Sequence, residues 1–166
     1  MRRTSKWIGL PVLLMVLVLG QSCKKSSNPS APVAPTPTAT QIPGSSWTAR
    51  TLPSSQDWYS VTYGNGVFVA VAGGPSTVAA TSPDGITWTV RTLPSSQYWY
   101  SVTYGNGVFV AVAGANGPST VAATSTDGIT WTARTLPSSA SWISVTYGNG
   151  VFVAVADGSS AAATSP

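Results

Sequence analysis

The chain has no glutamate, no histidine, a single cysteine and only four acidic residues in 166 positions. General acid–base catalysis draws first on His, Glu and Asp, so the available proton carriers narrow to Asp57, Asp84, Asp127 and Asp157. With Cys23 alone, no intramolecular disulfide can form. Charge is scarce as well: Asp, Lys and Arg make up 7% of residues, and Arg2, Arg3, Lys6, Lys24 and Lys25 crowd into the opening. From Cys23 onward five Lys or Arg face four Asp, a side-chain net of +1. A nucleic-acid partner requires a basic stripe that releases counterions, and this composition excludes one. Isolated Asp-Gly pairs do not supply the clustered oxygens that Ca²⁺ takes, so neither a metal nor a cofactor is expected.

What is present divides into three parts. Residues 1–22 read as a secretory signal: Arg2, Arg3 and Lys6 precede an apolar run from Ile8 to Gly20. That run falls short of the roughly 20 residues a spanning helix needs. Residues 23–44 are rich in Pro, Ser, Ala and Thr, with almost nothing to bury. Partly polyproline geometry, at about 3.1 Å per residue, would make this a tether on the order of tens of Å long.

Residues 45–166 are a repeat. Trp47, Trp88 and Trp131 stand 41 and 43 positions apart. Thr51–Arg91 and Thr92–Arg134 differ only at Asp57/Tyr98, Pro83/Thr126 and Val90/Ala133 and by the insertion Ala115-Asn116. The period is that of a β-propeller blade. Within a copy, Ser60–Tyr63 alternates, Asn65-Gly66 signals a type I′ hairpin, and Val67–Ala72 is apolar on both faces. Such a strand must be covered on both sides. Thr77–Thr81 and Ile86–Arg91 are the expected third and fourth strands. The expected fold is therefore all-β, a partial propeller of three four-stranded antiparallel blades, with an N-terminal strand completing the last blade or a neighbouring chain.

Ser82-Pro83-Asp84-Gly85-Ile86-Thr87-Trp88 and Ser125-Thr126-Asp127-Gly128-Ile129-Thr130-Trp131 resemble the Asp-box, or bacterial neuraminidase repeat, with Asp and Gly one residue closer than in the family pattern S-x-D-x-G-x-T-W. With the YGNGVFVAVA strand pair, the chain is similar to bacterial Asp-box propellers distantly related to photosystem II assembly factors. Physical roles for the box are structural: Ser82, Asp84, Gly85 and Trp88, and likewise Ser125, Asp127, Gly128 and Trp131, hold a turn and pack an outer strand. Sialidases share the repeat, and the resemblance would imply an arginine triad, a Tyr paired with Glu and an Asp acid/base. The absence of Glu sets hydrolysis aside, and Arg50, Arg91 and Arg134 recur at one end of each outer strand rather than converging. The chain is expected not to be an enzyme.

Cys23, just after the apolar run, resembles the lipobox cysteine of bacterial lipoproteins, although Gly20 and Gln21 depart from that pattern. The resemblance implies a diacylated N-terminus, export across the inner membrane and attachment to the cell envelope. Lys24 in place of a retention Asp implies the outer membrane.

Strand alternation gathers the differences between copies at the end opposite the Asn-Gly and Asp-box turns. Trp58, Tyr59, Tyr98, Trp99, Tyr100 and Trp142 stand there and form the candidate binding face, although repeated aromatics also serve as core. The expected role is a lipid-anchored scaffold for protein contacts, with glycan binding by the aromatic face as the alternative. Closed propellers take about 4 to 8 blades, so three imply a homo-oligomer or a longer array.

Acyl chains at Cys23, at about 0.8 kcal/mol per buried CH₂, would hold the chain stably on a membrane. Cys23→Ala is expected to yield an uncleaved or soluble species in fractionation; lipid labelling that survives the substitution contradicts the assignment.

Overall fold

The structure, a computed structural model, describes residues 42–114 and 116–166. Its contacts separate Met1–Ser45 from Ser46–Pro166. Of the first unit, residues 42–45 form a turn in which the amide and hydroxyl of Ser45 both donate to the Ile42 carbonyl, at 3.1 and 2.7 Å. The expected signal, Cys23 and the tether up to residue 41 lie outside the described residues.

The second unit is built from strands, with no helix among the described residues. In chain order these are β1 (Asp57–Gly64), β2 (Val67–Gly73), β3 (Ser76–Ser82), β4 (Thr89–Gln97), β5 (Trp99–Gly105), β6 (Val108–Ala113), β7 (Ser119–Ser125), β8 (Thr132–Gly148), β9 (Val151–Asp157) and β10 (Ala162–Ser165). One antiparallel sheet has the order β1-β2-β3-β4, and a second has the order β10-β9-β8-β7-β6-β5. Local chemistry fixes the hairpins. Asn65, Asn106 and Asn149 take φ of 47°, 46° and 49°, each followed by a glycine also at positive φ, as a type I′ turn demands.

Two details depart from the sequence expectation. The fourth strand starts at Thr89 rather than Ile86, because the amides of Ile86 and Thr87 donate to the Asp84 carboxylate and are lost to the ladder. The second departure is the six-stranded sheet. Tyr98 breaks the chain between β4 and β5, whereas Ser141, its counterpart, pairs with Asp157, so β8 runs unbroken for 17 residues. Its first half pairs with β7, from Thr132 to Ala140, and its second half with β9, from Ser141 to Gly148.

The core lies between successive copies of the repeat. β1 and β2 pack on β5, and β5 and β6 pack on β8. Val69 and Val71 of β2 meet Leu93, Val102 and Ala111 in one apolar cluster. A second cluster repeats the arrangement with Val112, Val145 and Ala154, flanked by Val110 and Leu136. Polar contacts repeat too: the Ser60 hydroxyl accepts the Val102 amide at 3.1 Å, and Ser101 accepts that of Val145 at 3.1 Å. Tyr104 lies against Gly64, and Tyr147 against Gly105, so closely that a Cβ on either glycine would enter the ring.

Gly64 and Gly105 are outside the left-handed region, so close approach and not backbone freedom demands them. Gly105→Val is therefore expected to lower stability by about 1–3 kcal/mol, the usual cost of overpacking, read as a fall in melting temperature; an unchanged melt would contradict the seat assigned to Tyr147.

Candidate functional site

The two ends of the strands differ in chemistry. At the turn end, each Ser-x-Asp-Gly turn is a hydrogen-bonded unit. The Ser82 hydroxyl accepts the amides of Asp84 and Gly85 at 3.3 and 2.8 Å and donates to Asp84 Oδ1 at 3.0 Å. Asp84 Oδ1 in turn accepts the amides of Ile86 and Thr87, both at 2.8 Å. Ser125 and Asp127 reproduce the pattern on Gly128, Ile129 and Thr130. Gly85 and Gly128 sit at φ 72°, and the indoles of Trp88 and Trp131 donate to their carbonyls at 3.3 and 3.1 Å. Gly128 also abuts Val69 across the core, and the Asn65 side chain donates to the Thr126 carbonyl at 3.2 Å. The turn thus braces one copy of the repeat on the preceding one.

These bonds favour the ionised carboxylate. The Thr130 and Ile129 amides hold Asp127 at a pKa of about 2, against an ordinary 3.8, and the Thr87 and Ile86 amides lower Asp84 in the same way. Arg91 and Arg134 are similarly engaged, their Nε atoms donating to Thr81 Oγ1 at 2.9 Å and Thr124 Oγ1 at 3.0 Å across neighbouring strands. Among the described residues no three His, Cys, Asp or Glu side chains gather as a metal site would require.

A cleft of about 350 Å³ lies at this turn end, lined by Val108, Thr126, Thr130, Thr132 and Arg134 among others, and further clefts lie at the other end. There, a cleft of about 420 Å³ lies between the end of β4, the β6–β7 connection, β7 and β8, lined by Gln97, Tyr98, Asn116, Ser119, Thr120 and Ser139 among others. Its counterpart in the first copy, about 300 Å³, is lined by Gln56, Asp57, Gly74, Pro75 and Ser76 among others. Exchange of Asp57 for Tyr98 therefore changes the wall of equivalent clefts.

The candidate aromatics divide between core and surface. Trp99 and Trp142 are fully buried, which removes them from any face a ligand could touch. Their indoles pin neighbouring strands, that of Trp99 donating to the Ser95 carbonyl in β4 at 3.2 Å and that of Trp142 to the carbonyls of Ser138 in β8 and Ser119 in β7 at 3.2 and 3.1 Å. Trp58 is half-buried and donates to Ser54 at 3.3 Å. Tyr59 is exposed and meets the half-buried Tyr100 edge-on, with ring centroids 4.7 Å apart, while Tyr98 lines the larger cleft. The Asn116 insertion falls at this end as the sequence places it, but sequence reasoning missed the hydroxyls that share the cleft, Ser119, Thr120 and Ser139, because they converge from separate strands. It also missed the tyrosine seats, for which a signal existed. The turn needs positive φ only at Asn65 and Gly66, so the preceding Gly64 had no local purpose.

Comparison with protein-family models and with curated proteins gives no match.

Asp127→Ala is expected to cost about 1–2 kcal/mol, the value of its lost amide bonds at a largely solvated site. Because the folded pKa lies below the ordinary one, this contribution is complete above about pH 4 and fades as pH falls towards about 2. Acid titration of the melting temperature should show that slope in the parent and a flatter one in Asp127→Asn; parallel profiles would contradict it.

Proposed function

We propose that this chain is a non-enzymatic scaffold of the cell envelope, an Asp-box repeat protein of the propeller type held to a membrane through lipid on Cys23. The observation that carries this reading is the asymmetry of the two ends. Asp84 and Asp127 each hold two amides of their own turns on Oδ1, while the equivalent clefts whose side chains differ between copies, walled by Asp57 and by Tyr98, lie at the opposite end. A surface varied over an otherwise repeated frame suits recognition, and a frame whose acids are committed to backbone amides suits construction. The 41–43-residue period and the recurring inter-copy contacts favour blades as the unit. The tether would present the clefts at a distance from the bilayer.

Tyr98 favours a second reading, glycan binding. It stands in a cleft among side-chain amides and hydroxyls, where its ring could stack on a sugar while Gln97, Asn116 and Ser119 exchange hydrogen bonds with hydroxyl groups.

A photo-reactive amino acid at position 98, compared with one at Asn106 in the turn end, separates these readings in intact envelopes. Protein adducts at 98 and not at 106 are the expected outcome. Glycan-array binding abolished by Tyr98→Ala, without protein adducts, would favour the second reading, and adducts confined to 106 would overturn both.

A further inference from the structure

The contacts that join one copy of the repeat to the next leave two unfilled halves, one at each end of the series. Each copy presents a receiving face towards its predecessor and an inserting face towards its successor. On the receiving side, Val102 and Val145 are 4% and 6% exposed beneath their predecessors, but the equivalent Val61 is 60% exposed and Tyr63 is 56% exposed. Leu52, Val61 and Ala70 line an open pocket of about 330 Å³ with Trp88. Their counterparts Leu136, Val145 and Ala154 line a smaller space into which Val110 and Val112 of the preceding copy reach. On the inserting side, Val69, Val71 and Val112 are buried, whereas Val155 is 42% exposed. Gly148 corresponds to Gly64 and Gly105, yet nothing lies within 4 Å of where its Cβ would be. Ser144, the counterpart of Ser60 and Ser101, is exposed.

The strands are incomplete in a matching way. β10 is an edge of its sheet, while the Thr48–Leu52 segment, which repeats Thr89–Leu93 of β4 and Thr132–Leu136 of β8, lies outside every strand.

From these matched halves we infer that the partner of this surface is a second copy of the same chain, docked head to tail. Val153 and Val155 of one copy enter the Leu52–Val61–Ala70 pocket of the next. Tyr63 takes the seat over Gly148 of its neighbour, as Tyr104 does over Gly64 and Tyr147 over Gly105. The Ser144 hydroxyl accepts the amide of the neighbour's Val61, as Ser60 accepts Val102. Thr48–Leu52 adds to the edge of β10. The occupant is identified by continuity: the chain already makes this contact twice with itself, between surfaces of the same sequence. The contact is heterologous, so it either closes into a ring or grows. It does not depend on the scaffold or glycan reading, since neither cleft takes part.

The test sizes the full chain, anchor and tether included, by sedimentation in detergent across a concentration series. Val61→Asp spoils only the receiving face. Gly148→Val spoils only the inserting face; its site is open and its backbone is outside the left-handed region, so the monomer keeps its fold, as circular dichroism would verify. The parent chain is expected to associate, and each variant alone is expected to be monomeric at tenfold higher concentration. An equal mixture of the two should form dimers and nothing larger, because one intact face survives on each partner. A monomeric parent, a folded Gly148→Val that associates like the parent, or a mixture that stays monomeric would each overturn the inference.

Discussion

A strand such as VFVAVA, with no polar face, is stable only when both of its sides are covered, and the domain is arranged around that requirement. β2, β6 and β9 carry this sequence, and each turns its valines in one direction and its alanines in the other. Valines of one copy meet the Leu–Val–Ala constellation of the next, so that the hydrophobic core is a series of equivalent interfaces rather than a single centre. Burial of this kind, at about 25 cal/mol per Å² of apolar surface, is the main stabilising term open to a chain with so little charge.

The remaining features serve those interfaces. Asn-Gly turns set the register in which valine and alanine alternate, since a slip by one residue would exchange the two faces. Glycine before each turn makes room for the tyrosine of the next copy, and serine satisfies an amide beneath it. The Ser-x-Asp-Gly turn ties off the outer hairpin and, through Gly128, presses on Val69 of the copy before. A motif that looks local in sequence is thus also part of the long-range packing.

Variation between copies is pushed to the periphery by the same logic. Repeated positions are committed to packing or to turns: the buried Trp99 and Trp142 bond to carbonyls of β4, β7 and β8, and Asp84 and Asp127 bind backbone amides. What differs between copies lies at the end opposite the turns, where Asp57, Tyr98 and Asn116 give equivalent clefts different walls, and on the faces of the first and third copies, where Val61 and Val155 are exposed.

Sequence alone determined the all-β antiparallel character, the hairpin positions and the chemistry of the Ser-x-Asp-Gly turns, because these depend on residues a few positions apart: alternation along a strand, Asn-Gly in the left-handed region, Ser and Asp beside the amides they bind. It did not determine where Ile86 and Thr87 belong, since competition between a carboxylate and a neighbouring strand for the same amides is settled by geometry. Only the tertiary structure decided that β8 continues through Ser141 where Tyr98 interrupts its counterpart, that Trp99 and Trp142 are core while Tyr98 lines a cleft, and that Gly148 is an empty seat. Near-identical copies have near-identical local preferences; what distinguishes them is which neighbour stands on each face, and that is a property of the folded series.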